Sequence, residues 1–194
     1  MELQKLKDLE TLAGIVEDLK AQGRRVVFAN GCFDILHGGH VSYLESARAA
    51  GDVLIVAVNS DTSIQALKGP DRPVLPQADR LAILDAIRHV DYLIVFDEPT
   101  VMGLLETLRP HIHAKGTDYT LDSIPERETT RALGIEVMIA GAPKQNASRD
   151  IIARIREMRS WGGANLSLIS GQKALLESIS GHLMYRIQGA RMAW

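Results

Sequence analysis

The chain has 194 residues, of which 46% are hydrophobic and 24% are charged, a composition typical of one globular domain with a real core. A net charge of −2 excludes a global positive field for nucleic acid, and no apolar run is long enough to span a membrane. The single cysteine, Cys32, excludes an intramolecular disulfide and a four-cysteine zinc site. Because the first ten residues lack an apolar signal core, we expect a cytoplasmic protein.

The predicted elements alternate between helices and short apolar strands. Leucines and a valine at helical spacing predict an amphipathic helix over Leu3–Leu19, closed by Gly23. Aliphatic and β-branched runs predict five strands: Val26–Ala29, Val53–Val58, Tyr92–Phe96, Ile112–Ala114 and Ile135–Ile139. Further helices are predicted at Gly39–Ala50, Gln77–Arg88, Thr100–Leu108, Pro125–Leu133 and Ser148–Met158. This alternation predicts an α/β fold, a Rossmann-like three-layer α/β/α domain with a parallel sheet of about five strands.

The segment between the first strand and the next helix is typical of an anion site. Two glycines, Gly38 and Gly39, stand at the start of that helix, where free N–H groups and the positive end of the helix dipole meet. His37 and His40 lie three residues apart, so both rings can face one ligand. The pattern suits phosphate chemistry, in which the protein positions the reacting groups and stabilises charge.

The residues alone leave other interpretations open. A histidine near a turn is commonly a surface or capping residue, and two at this spacing can form part of a zinc site, although no third ligand lies nearby. Spacing alone does not separate these alternatives from phosphate binding. Cys32 as a nucleophile is disfavoured because no nucleophile signature surrounds it.

The segment Gly31–His40, which reads Gly-Cys-Phe-Asp-x-x-His-x-Gly-His, resembles the HxGH signature of the cytidylyltransferase-like nucleotidyltransferase superfamily. The resemblance covers about Arg25–Arg156 and is strongest to the adenylyltransferase domain of ADP-heptose synthases and its standalone form. It rests on Phe33–His37, Val56–Asp61, Leu67–Gly69, Arg72–Val74 and Lys115–Tyr119. With the predicted first helix and a change of sequence character at Ser160, it predicts an N-terminal helix (1–24), a nucleotidyltransferase domain (25–159) and a C-terminal extension (160–194).

The resemblance also implies the site residues. The catalytic ones are His37, His40, Lys115 and Arg80; the nucleotide-binding ones are Cys32, Phe33, Gly39, Gly116, Asp118, Ser148 and Arg149; the substrate-binding ones are Asp34 and Lys68. Lys115 follows the fourth predicted strand, which neighbours the first strand in this superfamily's fold, and it would contact the triphosphate. No residue is assigned to a metal, because Mg²⁺ binds mainly through substrate phosphates and water.

Several of these residues also have simpler roles. Lys115 and Lys68 can be solvated loop lysines, and Arg80 can pair with Asp79 or Asp85 instead of reaching the phosphates. Asp34 either holds the turn, binds substrate or approaches a magnesium ion.

Helix capping is expected at two positions. Asp61 and Ser148 are expected to cap the helices that follow them.

Two positions depart from the family pattern. The usual Ser-Thr-Thr before the last helix is replaced by Ser148–Asp150, where Arg149 can offer a charged fork in place of hydroxyl contacts. The usual second glycine after the lysine is replaced by Thr117.

The resemblance implies an enzyme that uses ATP, with Mg²⁺, and a sugar 1-phosphate to form an ADP-sugar and pyrophosphate. The expected sugar phosphate is D-glycero-D-manno-heptose 1-phosphate, supplied by a separate kinase and used for lipopolysaccharide. The alternatives are a cytidylyltransferase acting on glycerol 3-phosphate or a similar phospho-alcohol, and a nucleotide-binding regulator without catalysis. We expect no nucleic-acid or membrane partner. Apolar residues in 160–194 predict packing on the same domain or across a homodimer.

Overall fold

A computed structural model of the chain describes residues 3–142, 148 and 150–158. Its strands are β1 (Val26–Gly31), β2 (Val53–Asn59), β3 (Tyr92–Phe96), β4 (Ile112–Gly116) and β5 (Glu136–Ala140). They form one sheet in the order β3-β2-β1-β4-β5, and every neighbouring pair is parallel. The predicted five-stranded parallel sheet is therefore confirmed.

Helices cover both faces of this sheet. They are α1 (Leu9–Ala21), α2 (Gly38–Ala49), α3 (Asp61–Lys68), α4 (Gln77–Asp85), α5 (Met102–Leu108) and α6 (Arg127–Ala132). Residues from α2 and α4 share one core cluster with one face of the sheet, and residues from α1 and α5 share a second cluster with the other face. This is the predicted three-layer, Rossmann-like arrangement.

Alternation along the strands divides the core between the two faces. Val27 of β1 and Leu54 of β2 belong to the α2 and α4 side, whereas Val26 and Phe28 belong to the α1 and α5 side. All seven residues of β2 are buried, since the strand is covered on both faces. Each fully buried aliphatic side chain contributes about 1.5–3 kcal/mol, so burial on both faces fixes β1 and β2 as the rigid centre of the sheet.

The N-terminus differs from its prediction. The backbone of Lys5 and Lys7 forms two hydrogen bonds of 2.9 Å with Leu93 of β3, so this segment is extended beside the edge strand. Helix α1 begins only at Leu9, where the side chain of Asp8 accepts a hydrogen bond from the N–H of Thr11 at 2.7 Å. The predicted helix over Leu3–Leu19 is therefore wrong for its first six residues, which instead protect the sheet edge.

Three further assignments change position. Lys68 is the last residue of α3 and not part of a loop, and Lys115 lies within β4 and not after it. The expected cap Asp61 is the first helical residue of α3; Ser60 is the cap, and its hydroxyl accepts from the N–H of Ser63 at 3.0 Å. Because the Ser60 hydroxyl caps the helix, the Asp61 carboxylate is available to pair with Arg80.

The chain divides into two compact units, Met1–Ser148 and Arg149–Trp194. In the second unit, residues 150–158 are helical. The predictions for Arg149 and for the extension 160–194, including a homodimer, fall outside the described residues. None of the helices within the described ranges is long and apolar enough to cross a bilayer.

Candidate active site

The turn after β1 is shaped by a buried phenylalanine in an unusual conformation. Phe33 has φ 48°, in the left-handed region that residues other than glycine rarely adopt. Its ring packs 6.5 Å from that of Tyr43 and 5.5 Å from that of His40. Packing on one side of α2 therefore holds a strained turn directly before the two histidines.

The two predicted histidines are adjacent at the start of α2. Their ring centroids lie 4.1 Å apart. His37 is the N-cap residue, and its Nδ1 accepts a hydrogen bond from the N–H of Gly39 at 3.1 Å. This bond places the proton of a neutral His37 ring on Nε2. The cap therefore fixes the orientation of one ring, and the contact between rings brings the second beside it.

The helix end beside these rings is open and electropositive. The first turn of α2 contains no acidic residue, so the helix itself supplies no carboxylate to offset the positive end of its dipole. Gly38 is exposed, and a Cβ atom built on it would lie more than 4 Å from every described atom outside its chain neighbours and its own helix backbone. None of the described residues therefore blocks the approach of an anion to the backbone at Gly38.

Lys115 lies on β4, the strand hydrogen-bonded to β1. Its side chain is only 4% exposed. Its Nζ donates to Oε2 of Glu126 at 3.2 Å and to Oδ1 of Asn30 at 3.3 Å, and it lies 4.6 Å from the ring centroid of Tyr119. The alternative of a solvated loop lysine is therefore wrong, because protein groups surround this ammonium.

A buried histidine shares the same asparagine. The Nε2 of His113 lies 3.1 Å from Oδ1 of Asn30, and its ring packs edge-on against Phe28. Burial, reinforced by the charge of Lys115, lowers the pKa of His113 to about 3, so the ring is neutral at ordinary pH. Since the amide oxygen only accepts, Nε2 of His113 carries the proton.

Sequence reasoning missed Asn30, His113 and Glu126. One signal was available, because residues two apart on a strand face the same side, as His113 and Lys115 do. Glu126 offered no local signal, since it reaches Lys115 across an eleven-residue separation.

Arg80 is fully buried and makes four hydrogen bonds. It donates to the carbonyl oxygens of Cys32 at 2.7 Å, Asn59 at 2.8 Å and Leu75 at 3.2 Å, and to Oδ1 of Asp61 at 2.7 Å. The hydrogen bonds of Arg80 therefore link the turn after β1 to the end of β2.

The charge partner of Arg80 differs from the predicted one. Pairing with Asp79 or Asp85 was wrong, because α4 turns Arg80 inward toward Asp61. Burial raises the pKa of Asp61, but hydrogen bonds from Gln77 and Arg80 outweigh it and lower that pKa overall.

Asp34 holds a loop. Its buried carboxylate accepts from the N–H groups of Val74 and Leu75 at 2.7 and 2.9 Å and from Nε of Arg72 at 2.6 Å. These three donors come from one loop, so the structure supports the interpretation that Asp34 holds the chain. The expected contact of Asp34 with substrate or magnesium stays a prediction.

The remaining predicted residues lie around the same end of the sheet or beyond it. Cys32 is half-buried, with its Sγ 3.7 Å from Oδ1 of Asn59. Gly116 ends β4, and Asp118 is exposed in the loop that follows. Ser148 is helical, and its hydroxyl donates to the carbonyl of Ile35 at 3.2 Å. Its expected capping role stays a prediction, because the residues on either side of it fall outside the described ones. Lys68 is exposed at the end of α3.

The structure thus brings His37, His40 and Lys115 to the carboxyl ends of β1 and β4. Strand order reverses between these two strands, which is where ligands bind in open α/β sheets. Among the described residues, no group of three or more His, Cys, Asp or Glu side chains is arranged to hold a metal ion.

Comparison with known proteins places this geometry in a family context. Residues 28–159 match the family model described as Cytidylyltransferase-like. The bifunctional protein HldE of Geobacter sulfurreducens is 49% identical over 158 residues, which are 81% of this chain and 32% of that protein. HldE of Azotobacter vinelandii is 48% identical over 148 residues, 76% of this chain and 31% of that protein. The chain therefore spans about a third of the length of these relatives.

Two solved structures are similar. A lipopolysaccharide core biosynthesis protein from Thermoplasma volcanium aligns with a TM-score of 0.53 at 32% identity, over 64% of this chain and all of that chain. A pantoate-beta-alanine ligase from Francisella tularensis aligns with a TM-score of 0.56 at 18% identity, over 74% of this chain and 68% of that chain. The second likeness shows the fold alone.

Proposed function

The chain belongs to the cytidylyltransferase-like family of nucleotidyltransferases, and from this we propose that it is an adenylyltransferase acting on a sugar 1-phosphate. An oxygen of the sugar phosphate forms a bond to the α-phosphorus of ATP, and the bond from that phosphorus to the β-phosphate oxygen breaks. The products are an ADP-sugar and pyrophosphate. The proposed sugar is D-glycero-D-manno-heptose, supported by the motif resemblance to ADP-heptose synthases and by the similar lipopolysaccharide core biosynthesis protein.

One observation carries this proposal: the two histidine rings lie 4.1 Å apart at an open helix N-terminus. A transferred phosphoryl group is trigonal in the transition state, and negative charge is spread over its equatorial oxygens. Two imidazole donors and a helix dipole directed to one place stabilise such charge. Lys115, on the adjacent strand, supplies the positive charge in this proposal.

The proposed reaction needs no covalent intermediate and no strong base. A phosphate monoester is already an anion near neutral pH, so its oxygen attacks without losing a proton to the protein. The tasks left to the chain are orientation of the two substrates and stabilisation of charge, which suits a site built from His37, His40 and the positive end of the α2 dipole.

In this proposal ATP enters together with Mg²⁺. The described residues form no cluster of His, Cys, Asp and Glu for a metal, and the carboxylate of Asp34 is engaged by Arg72 and the loop that follows. This donor set fits an ion carried by triphosphate oxygens and water, which is how Mg²⁺ usually binds with nucleotides.

A pyrophosphate-release assay with Mg²⁺ tests the proposal. Each of ATP, CTP, GTP and UTP is combined with heptose 1-phosphate or with glycerol 3-phosphate. Release only with ATP and heptose 1-phosphate supports the proposal. Release with CTP and glycerol 3-phosphate moves the protein to the cytidylyltransferase alternative. If folded protein is silent in every pair but binds a nucleotide, adenylyl transfer to these acceptors is refuted and the regulator alternative gains support.

A further inference from the structure

The described residues contain a buried ion pair of which the proposed chemistry uses only the lysine. Lys115 and Glu126 are 4% and 3% exposed, and their charged atoms lie 3.2 Å apart. Removing two charges from water costs several kcal/mol for each ion, and their attraction in the interior roughly offsets that cost. An apolar pair of similar volume would stabilise the fold at least as well. The pair therefore calls for an explanation other than stability.

The lysine of this pair is held from two sides. Glu126 stands at the N-cap position of α6, and Asn30 is near the end of β1, so the ammonium is fixed between a helix and the central strand. A free lysine side chain carries about 2 kcal/mol of rotamer entropy. Contacts from two elements remove that freedom before any ligand arrives, which is what preorganised charge stabilisation requires.

Asn30, the second group that holds the Lys115 ammonium, is itself held in place. Oδ1 of Asn30 accepts from Lys115 and also lies within hydrogen-bonding distance of His113 Nε2, so the amide is oriented by two donors. The other ring nitrogen of His113, Nδ1, is buried and makes no hydrogen bond with any described residue. A polar ring with one unsatisfied atom is a costly way to fill a core position. The hydrogen bond from His113 Nε2 to Asn30 explains why a histidine occupies this position.

We infer that Glu126 is a positioning residue that holds the Lys115 ammonium at the nucleotide site, and that His113 supports the same lysine through Asn30. This inference rests on the proposed function for the role of Lys115 in transfer, but the holding of Lys115 is a property of the fold. Glu126 itself does not touch substrate. Its effect reaches the reaction through the place and direction of the Lys115 charge.

The variant Glu126→Gln separates positioning from packing, because it keeps the size of the side chain and an acceptor oxygen but removes the charge. A looser Lys115 stabilises the transition state less, so kcat falls about tenfold or more. The KM for ATP does not rise, because removal of a negative charge near the triphosphate favours ground-state binding. Thr130→Val, a buried change on the same helix, is the matched control and leaves both constants within twofold.

A second readout does not depend on activity. Limited acetylation with acetic anhydride, followed by peptide mass spectrometry, measures how reactive each lysine is. In the parent chain Lys115 reacts far more slowly than the exposed Lys68. Glu126→Gln and His113→Leu increase the labelling of Lys115 severalfold, whereas His113→Gln, which keeps a donor toward Asn30, does not. Lys68 labelling stays constant throughout.

These readouts distinguish two failures. If the parent chain releases no pyrophosphate with any substrate pair, the proposed function fails, and the labelling still decides whether Glu126 holds Lys115. Unchanged Lys115 labelling in Glu126→Gln overturns the inference, as does a kcat within twofold of the parent. If Glu126→Gln does not fold, Glu126→Asp replaces it: its carboxylate is one methylene shorter, and the same fall in kcat and rise in labelling are expected.

Discussion

Arg80 of α4 and Asp61 of α3 form an ion pair, with 2.7 Å between Nη2 and Oδ1, at the carboxyl ends of β1 and β2. The same guanidinium donates to the carbonyls of Cys32 and Asn59, which end or follow those two strands. Asp61 also accepts from the N–H of Gln77, the first residue of α4. One buried side chain therefore ties the turn before the two histidines to the neighbouring strand and to two helices.

Replacing Arg80 with lysine should destabilise the fold strongly. A single ammonium keeps the charge but cannot reach four acceptors on different elements, so at least two buried carbonyls lose their donor, at about 1–3 kcal/mol each. We expect the free energy of unfolding, measured by urea denaturation, to fall by about 2 kcal/mol or more. Arg127→Lys is the control, because its pair with Asp122 is exposed and contributes little. An equal loss of unfolding free energy in the two variants would contradict the conclusion that the hydrogen bonds of Arg80 stabilise the fold.

The buried His113 should make stability depend on pH. Its pKa is lowered to about 3 in the folded state, by burial first and then by Lys115, whereas an unfolded histidine titrates near 6.5. Between these values the unfolded chain binds one proton more than the folded chain. The free energy of unfolding therefore falls as the pH drops below about 6.5, by about 1.4 kcal/mol per pH unit from this residue.

His113→Gln tests this dependence, since glutamine keeps an amide donor at a similar position and does not titrate. Urea denaturation is measured at pH 7.5, 6.0 and 5.0. The parent chain should lose more stability on acidification than the variant, and the difference should grow toward pH 5. Parallel pH profiles for the two chains would show that His113 does not remain neutral in the fold.

His40 should matter for turnover and little for folding. Its ring lies beside that of His37 at the helix end, and its centroid is 5.5 Å from that of the Phe33 ring. Loss of one preorganised donor to a developing charge typically costs 10²–10³ in kcat, so His40→Ala should lower pyrophosphate release by about that factor. The control is His89→Gln, a histidine on the connection after α4, whose activity should match the parent. If His40→Ala keeps the turnover of the parent, the His40 ring does not stabilise charge in the transition state.

The sheet could be predicted from the sequence because its buried strands are continuous apolar runs. β3 has the predicted bounds, Tyr92–Phe96, and the order around β1 follows from the family resemblance. The adjacency of His37 and His40 also followed, since three residues across a helix start leave little freedom.

The errors have physical causes. Leu3 and Leu6 fit the helical spacing of α1, but hydrogen bonds to the exposed edge of β3 favour an extended segment. The carboxylates of Asp79 and Asp85 were predicted as partners of Arg80 because they are close in sequence. Arg80 faces the interior and pairs with Asp61, nineteen residues away along the chain. Lys115 likewise found Glu126 on another element. Long-range partners of charges depend on which face of a helix is buried, and spacing does not encode this.

Two glycines provide a matched test of packing in the first unit. A Cβ atom on Gly51 would lie 2.7 Å from the carbonyl oxygen of Arg25 and 2.7 Å from Cγ2 of Val27, and that carbonyl already accepts from the N–H of Asp52 at 2.8 Å. A Cβ on Gly14, exposed in the middle of α1, would lie more than 4 Å from every described atom outside its chain neighbours and its own helix backbone.

Gly51→Ala should therefore lower the midpoint of urea unfolding, because the start of β1 must move to admit the methyl group. Gly14→Ala should raise the free energy of unfolding by about 0.5–1 kcal/mol, since alanine loses less backbone entropy in a helix than glycine does. Both variants are compared with the parent at one pH and temperature. A Gly51→Ala chain as stable as the parent would mean that the turn before β2 gives way easily, and the rigid centre assigned to β1 and β2 would then not extend to their first residues.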